Sequence, residues 1–279
     1  MTATRHHHVN PVAGPTSSDR AAGEPRVPEV LKIVQLSDCH VSGQPGVDYR
    51  GSDPRANLER LLPAIRQFAP DTLLLTGDLS EDASPAAYRY LVDRLSGLGA
   101  ACLALPGNHD DAGRLQNHFA APDGHVPLVF EHDHWQLLLL DSAVPGEIGG
   151  RLPARALQEL DQALARNRKP KLVALHHQPL PIGSHWIDRF PLAEPEAFWD
   201  TLAKHPRVQL VVWGHVHQAG TFSRGGITAL AGPSSASNSL PGRRRFEADP
   251  KGPACRWLRL EANGVFETGV LNAEQARQE

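Results

Sequence analysis

The chain has 279 residues, 41% of them hydrophobic and 21% charged, enough for one large core or two small ones. A formal net charge of -3 gives no electrostatic case for a nucleic-acid partner, and no apolar run approaches the roughly 20 residues that span a bilayer, so no membrane association is expected. Three cysteines without repeated spacing, Cys39, Cys102 and Cys255, argue against a disulfide framework and for a reducing, cytoplasmic location.

Residues 1–28 are rich in Ala, Pro, Gly, Ser and Thr, lack apolar periodicity and read as a flexible N-terminal extension. They also lack the apolar core of a secretory signal, and His6-His7-His8 is too short a run to argue for a metal tail. The first strand covers residues 31–37 and ends on Asp38-Cys39-His40. Ser52-Asp53-Pro54 then opens a helix, with Leu58, Leu61, Leu62, Ile65 and Phe68 at helical spacing. Pro63 either kinks that helix or marks its true start. Residues 72–76 form a second strand that delivers Gly77-Asp78. Ser84-Pro85 opens the next helix, which Gly99 is expected to close. Residues 101–105 form a third strand, followed by Gly107-Asn108-His109-Asp110.

Residues 136–141 read as a fourth strand, and a helix follows Leu152-Pro153. Residues 171–175 lead into His176-His177, a short helix follows Glu194-Pro195, and residues 208–213 lead into Gly214-His215-Val216-His217. From about residue 218 the pattern becomes mostly antiparallel strand, with hairpin signals at Gly225-Gly226 and Asn263-Gly264. Alternating strands and helices followed by hairpins predict an α/β fold of two packed sheets with helices outside, over residues 29–272, with a tail at 273–279.

Each polar motif follows an apolar strand, and strand ends in an α/β sheet converge on one edge. Asp38 and His40 stand two apart, the spacing at which extended side chains point the same way. Asp78 can bridge two cations through its two oxygens, and Asn108 offers a neutral amide oxygen. His215 and His217 share the i, i+2 spacing, though a turn could send them to different metals. This donor mix suits Mn²⁺, Fe²⁺ or Zn²⁺ rather than Ca²⁺ or Mg²⁺. Two such cations can clamp an in-line phosphoryl displacement and lower the pKa of a bound water. His109, beside Asn108, is placed to donate a proton to a leaving oxygen, and Asp110 could orient His109. Structural roles are expected for His177 and for Cys39, which should face the core, and a solvated basic loop for Arg243-Arg244-Arg245.

These blocks, in this order, resemble the calcineurin-like metallophosphoesterases over about residues 30–270. Residues 82–88, 105–110, 138–142, 176–181, 214–218 and 231–235 are similar to the bacterial class III cyclic-AMP phosphodiesterases. The resemblance implies a four-layer α/β/β/α sandwich of two mixed sheets. It implies a first metal on Asp38, His40, Asp78 and His217 and a second on Asp78, Asn108, His176 and His215. His40, Asp78, Asn108, His109 and His217 would then border the substrate phosphate. Cys39 departs from the family's usual small polar residue, and the N-terminal extension is longer than usual; neither touches the inferred ligands.

The expected reaction is hydrolysis of 3′,5′-cyclic AMP to 5′-AMP, with a metal-bridging hydroxide as nucleophile and His109 as proton donor. Another phosphoester hydrolase on the same scaffold is the alternative: a 2′,3′-cyclic nucleotide phosphodiesterase, a nucleotidase or a phosphatase. A non-catalytic binding module is the remote one. The expected partner is a small cyclic nucleotide, and a homodimer is left open.

Overall fold

The computed structural model describes residues 30–273. The N-terminal extension with His6-His7-His8, and nearly all of the C-terminal tail, lie outside the described residues.

The elements run in the order β1 (Val30–Leu36), α1 (Pro54–Phe68), β2 (Thr72–Thr76), α2 (Pro85–Ser96), β3 (Ala101–Leu105) and α3 (Ala112–Gln116). There follow β4 (Leu128–Glu131), β5 (Gln136–Leu139), β6 (Gly150–Arg151), α4 (Ala154–Ala165), β7 (Lys171–Leu175), α5 (His185–Asp188) and β8 (Leu192–Ala193). The chain ends with α6 (Pro195–Ala203), β9 (Val208–Trp213), β10 (Gly220–Arg224), β11 (Ile227–Ala231), β12 (Ala254–Glu261) and β13 (Phe266–Asn272).

Two mixed sheets form, one ordered β13-β12-β1-β2-β3 and the other β10-β11-β9-β7-β5-β4. Within them β1, β2 and β3 run parallel, as do β5, β7, β9 and β11. Parallel strands buried on both faces need near-continuous apolar sequence, and β2 and β7 are buried at every position. Three apolar layers result. Leu58, Leu61, Tyr88 and Leu91 of α1 and α2 pack on Val34, Leu73 and Ala104 of the first sheet. Leu160 and Leu164 of α4, with Phe198 and Leu202 of α6, pack on Val173, Val211 and Trp213 of the second. Between the sheets lie Ile33, Leu74, Leu103, Leu137, Leu172, Leu210 and Leu258. That is a four-layer α/β/β/α sandwich.

Local chemistry sets the helix starts. The Asp53 side chain accepts from the Arg55 and Ala56 N–H groups, and Ser84 accepts from Ala87, each ahead of a proline in the first turn. The helix of residues 54–68 runs through Pro63 rather than starting there. The helix of residues 85–96 stops earlier than expected, at Gly97, and Gly99 takes the left-handed conformation (φ 69°) in the following turn. Both hairpin signals form: β10 and β11 pair antiparallel across Gly225-Gly226, and β12 and β13 pair antiparallel across Asn263-Gly264. Through its other edge β11 pairs parallel with β9, which joins this hairpin to the second sheet. β12 and β13 instead extend the first sheet beside β1.

Candidate metal centre

Five strands, β1, β2, β3, β7 and β9, deliver polar groups to one edge where the two sheets meet. Backbone bonds fix the exits: Asp38 N–H donates to Gly77 O (2.9 Å), His40 N–H to Asp78 O (2.9 Å) and Gly214 N–H to His176 O (3.1 Å). The seam between sheets is bridged by His215 N–H, which lies 3.0 Å from both Asp38 oxygens.

The chain leaves these strands abruptly. Nine described non-glycine residues have positive φ, and five are predicted ligands: Asp38 (51°), His40 (44°), Asp78 (49°), His215 (65°) and His217 (49°). Such conformations cost on the order of 1–3 kcal/mol each and persist where surroundings over-determine them. Thus Asp38 and His40 do converge, through left-handed turns rather than the shared face of an extended strand. The motif glycines have a steric reason. A Cβ on Gly107 would overlap the Asp78 carboxylate, and one on Gly214 would overlap the Ser37 hydroxyl.

The donor atoms form two adjoining groups. His217 Nε2 lies 3.3 Å from Asp38 Oδ1 and 3.2 Å from His40 Nε2. Asp78 Oδ2 lies 3.8 Å from His40 Nε2 and 3.3 Å from His176 Nε2, so this carboxylate belongs to both groups. The His215 ring sits 5.0 Å from that of His176, and its Nε2 lies 3.1 Å from the Phe190 carbonyl. The turn therefore sends His215 and His217 to different partners.

The tautomers decide what this cluster can hold. His40 Nδ1 faces Glu81 Oε2 (2.7 Å), His217 Nδ1 faces Ser237 O (2.7 Å) and His176 Nδ1 faces Thr76 O (2.8 Å). Each of those partners only accepts, so each Nδ1 carries a proton, and in the neutral ring each Nε2 presents a lone pair; His176, which Asp78 holds protonated without metal, would give up its Nε2 proton to a cation. Lone pairs of His40, His217 and His176 thus converge on the carboxylates of Asp38 and Asp78. Asn108 Oδ1 and His176 Nε2 are buried and make no hydrogen bond. A buried set of acceptors facing one another is satisfied by cations and by little else. Three-residue combinations drawn from Asp38, His40, Asp78, His109, His176 and His217 bring ligand atoms within 4.8 Å of one another. The residues present fit divalent metal.

The same convergence sets the charges. Burial opposes ionisation of Asp78, yet the imidazoles of His176, His40 and His109 hold its carboxyl well below the usual range. Burial opposes Asp38 likewise, and His217 holds it low. Against the burial that would lower it, Asp78 lifts His176 to about 9. Burial, then His176, presses His215 down to about 3.

Asp110 does not contact His109. Its carboxylate accepts from the N–H groups of Leu79 (3.1 Å), Ser80 (3.0 Å) and Gly107 (3.0 Å) and from Tyr88 Oη (3.1 Å). It ties the loop after β2 to the loop after β3, and with four donors taken it has no reach left for an imidazole. The carboxylate beside His109 is Glu81, whose Oε2 lies 3.2 Å from His109 Nδ1 as well as 2.7 Å from His40 Nδ1. Glu81 carries no motif signal beyond its place three residues after Asp78. His177 has both ring nitrogens engaged, by Ser142 Oγ (2.9 Å) and Ile148 O (3.1 Å). Cys39 is buried in the apolar layer beneath α1 and α2.

A cavity of about 580 Å³ opens over the cluster. His40, Asp78, Asn108, His109, His215 and His217 form its floor. Tyr49, Arg50, Trp186, Phe246, Arg244 and Arg245 contribute to its wall. The two C-terminal arginines are exposed, as a solvated loop requires, and also line the mouth.

The sequence profile of the calcineurin-like phosphoesterases matches residues 31–219, more than half the chain. A Pseudomonas aeruginosa protein named 3′,5′-cyclic adenosine monophosphate phosphodiesterase CpdA is 34% identical over 258 residues, covering 91% of this chain and 94% of its own. The Escherichia coli K12 protein of the same name is 35% identical over 263 residues, covering 92% and 93%. Among solved structures, a dimetal phosphatase from Danio rerio superposes with a TM-score of 0.62 at 14% identity, covering 87% of this chain and 99% of that one. GAP50, described as an anchor in the inner membrane complex of Plasmodium, superposes with a TM-score of 0.60 at 13% identity, covering 88% and 86%. These two share the fold, and fold alone does not assign a function. The chain belongs to the calcineurin-like phosphoesterase family.

Proposed function

We propose that the chain hydrolyses 3′,5′-cyclic AMP to 5′-AMP at a dinuclear metal site. One observation carries the reading: imidazole nitrogens, carboxylates and an amide oxygen converge at the floor of a cavity, where Asn108 Oδ1 and His176 Nε2 are buried without a hydrogen-bond partner. The cyclic nucleotide is favoured because the curated relatives that match over most of the chain carry that activity in their names.

Asp38, His40, Asp78 and His217 would hold one cation, and Asp78, Asn108, His176 and His215 the other. The mixed donors suit Mn²⁺, Fe²⁺ or Zn²⁺. When bound, the cations lower the pKa of water and neutralise charge on the phosphoryl oxygens. The protein's own groups do the rest. Ser237 O, Thr76 O and Glu81 fix the tautomers of the three ligand imidazoles. The His109 backbone N–H donates to Asp78 Oδ1 (2.9 Å), which holds its side chain beside the phosphate position. Glu81 engages Nδ1 of His109 and leaves Nε2 for the substrate. With Nδ1–H held by Glu81, His109 would act as an imidazolium: as water adds to phosphorus and the P–O3′ bond breaks, its Nε2 proton passes to the departing 3′-oxygen and is replaced by the proton that the added water gives up.

The test offers purified, Mn²⁺-loaded protein 3′,5′-cyclic AMP, 2′,3′-cyclic AMP and 5′-AMP in parallel, with products separated by chromatography. Accumulation of 5′-AMP from the 3′,5′ substrate is expected. Turnover of another ester with none of cyclic AMP would move the function to a sister activity on the same site.

A further inference from the structure

The metal donors account for the floor of the cavity and leave its wall unexplained. That wall comes from three segments distant in sequence: Tyr49 and Arg50 between β1 and α1, Trp186 on α5, and Phe246 before β12. It abuts the floor. Tyr49 stacks on His40 with centroids 3.9 Å apart and planes 12° from parallel. The rings of Trp186 and Phe246 stand 6.2 Å and 6.1 Å from that of His217.

Arg50 is the centre of this group. Its Cζ lies 4.2 Å from the Phe246 centroid, 5.4 Å from Tyr49 and 5.5 Å from Trp186. Its Nε donates to Tyr49 Oη (3.1 Å), and its backbone is held left-handed at φ 51°. No carboxylate pairs with it among the described residues, and it is exposed. The guanidinium is therefore held against rings on one side and open on another. The Trp186 indole N–H is buried without an acceptor among the described residues, although buried tryptophans usually have one. A planar cation fixed on aromatic rings, next to a phosphate-binding floor, offers a surface for a planar, nitrogen-rich ring system.

We infer that Arg50, with Phe246 and Trp186, forms the nucleobase subsite, taking the base of a nucleotide by stacking while its phosphate lies on the metal floor. The inference rests on the proposed function for the identity of the ligand and deepens it. It assigns base recognition to residues that supply no metal ligand, although the rings of Trp186 and Phe246 adjoin that of His217. Charge alone does not suffice in this arrangement, because lysine would keep the charge and lose the plane.

Calorimetric titration of the Mn²⁺-loaded protein with 5′-AMP and with ribose 5-phosphate separates base from phosphate. The wild-type protein is expected to prefer 5′-AMP, and Arg50→Lys to reduce that preference about tenfold, the scale of one base stack. Phe246→Leu, which keeps an apolar side chain but no ring, is expected to act in the same direction. A wild-type protein with no preference, or variants that weaken both ligands equally, would overturn the subsite. Cyclic AMP turnover is measured alongside. Absence of turnover with the 5′-AMP preference intact would overturn the reaction and leave the subsite standing.

Discussion

The floor and the wall of the cavity are built on opposite plans. Floor residues sit at strand exits, mostly buried, with the ligand tautomers fixed by Ser237 O, Thr76 O and the Glu81 carboxylate. Wall residues sit on loops and one short helix, from buried Trp186 to exposed Arg50, held mainly by ring and guanidinium contacts. A rigid floor suits chemistry, whose geometry tolerates little displacement. A looser wall suits recognition, which can change without disturbing the reacting centre.

The largest effect should follow from Asp78→Asn, which alters the one carboxylate shared by both donor groups. We expect about a thousandfold loss of cyclic AMP turnover and loss of bound metal, read by elemental analysis. Full metal content and rate would mean the floor does not depend on this bridge. Next comes His109→Ala, with an expected hundredfold to thousandfold loss at unchanged metal content (about the range for a single proton donor). Metal loss in that variant would make His109 part of the frame instead. Glu81→Gln should cost about tenfold in kcat, because an amide holds the tautomers of His40 and His109 less firmly, with KM little changed.

At the wall, Arg244→Ala combined with Arg245→Ala should raise KM about twofold to threefold at low ionic strength, and less in added salt. A salt-independent change would argue for a fixed contact. The smallest signal is thermal. Asp78 raises His176 in the metal-free chain above the ordinary imidazole value of 6.5, so its contribution is complete below 6.5 and lost as pH rises through about 9. His215 is depressed below the same 6.5, so its contribution is complete above 6.5 and lost as pH falls through about 3. Metal-free protein should show a maximum in its unfolding midpoint near pH 6.5, with lower midpoints on either side. A midpoint rising steadily with pH would assign the protons differently.

Most of the floor was legible in the sequence because ligand residue types recur directly after apolar strands, and strand ends share an edge. The two-sheet sandwich followed from the same alternation. What stayed hidden depends on turns and on distant pairing. Asp110 reads as a partner of His109 by adjacency, yet the turn points it at three backbone donors and Tyr88. Glu81 reads as one acidic residue among many until the loop after β2 folds it under two imidazoles. Edge strand β4 is four residues long, and β6 and β8 are two each, too short for periodicity to reveal. The wall was illegible for the same reason: Arg50, Trp186 and Phe246 meet only once the sheets have docked.

The seam itself has a further consequence. One sheet brings Asp38, His40, Asp78 and Asn108, and the other brings His176, His215 and His217. A cation gripped from both sides would act as a rivet through the sandwich. Its affinity then includes the work of holding the two sheets in register. Loosening the leucines between them, far from any ligand, would weaken the grip on metal, and saturating metal would return stability to a core it never touches.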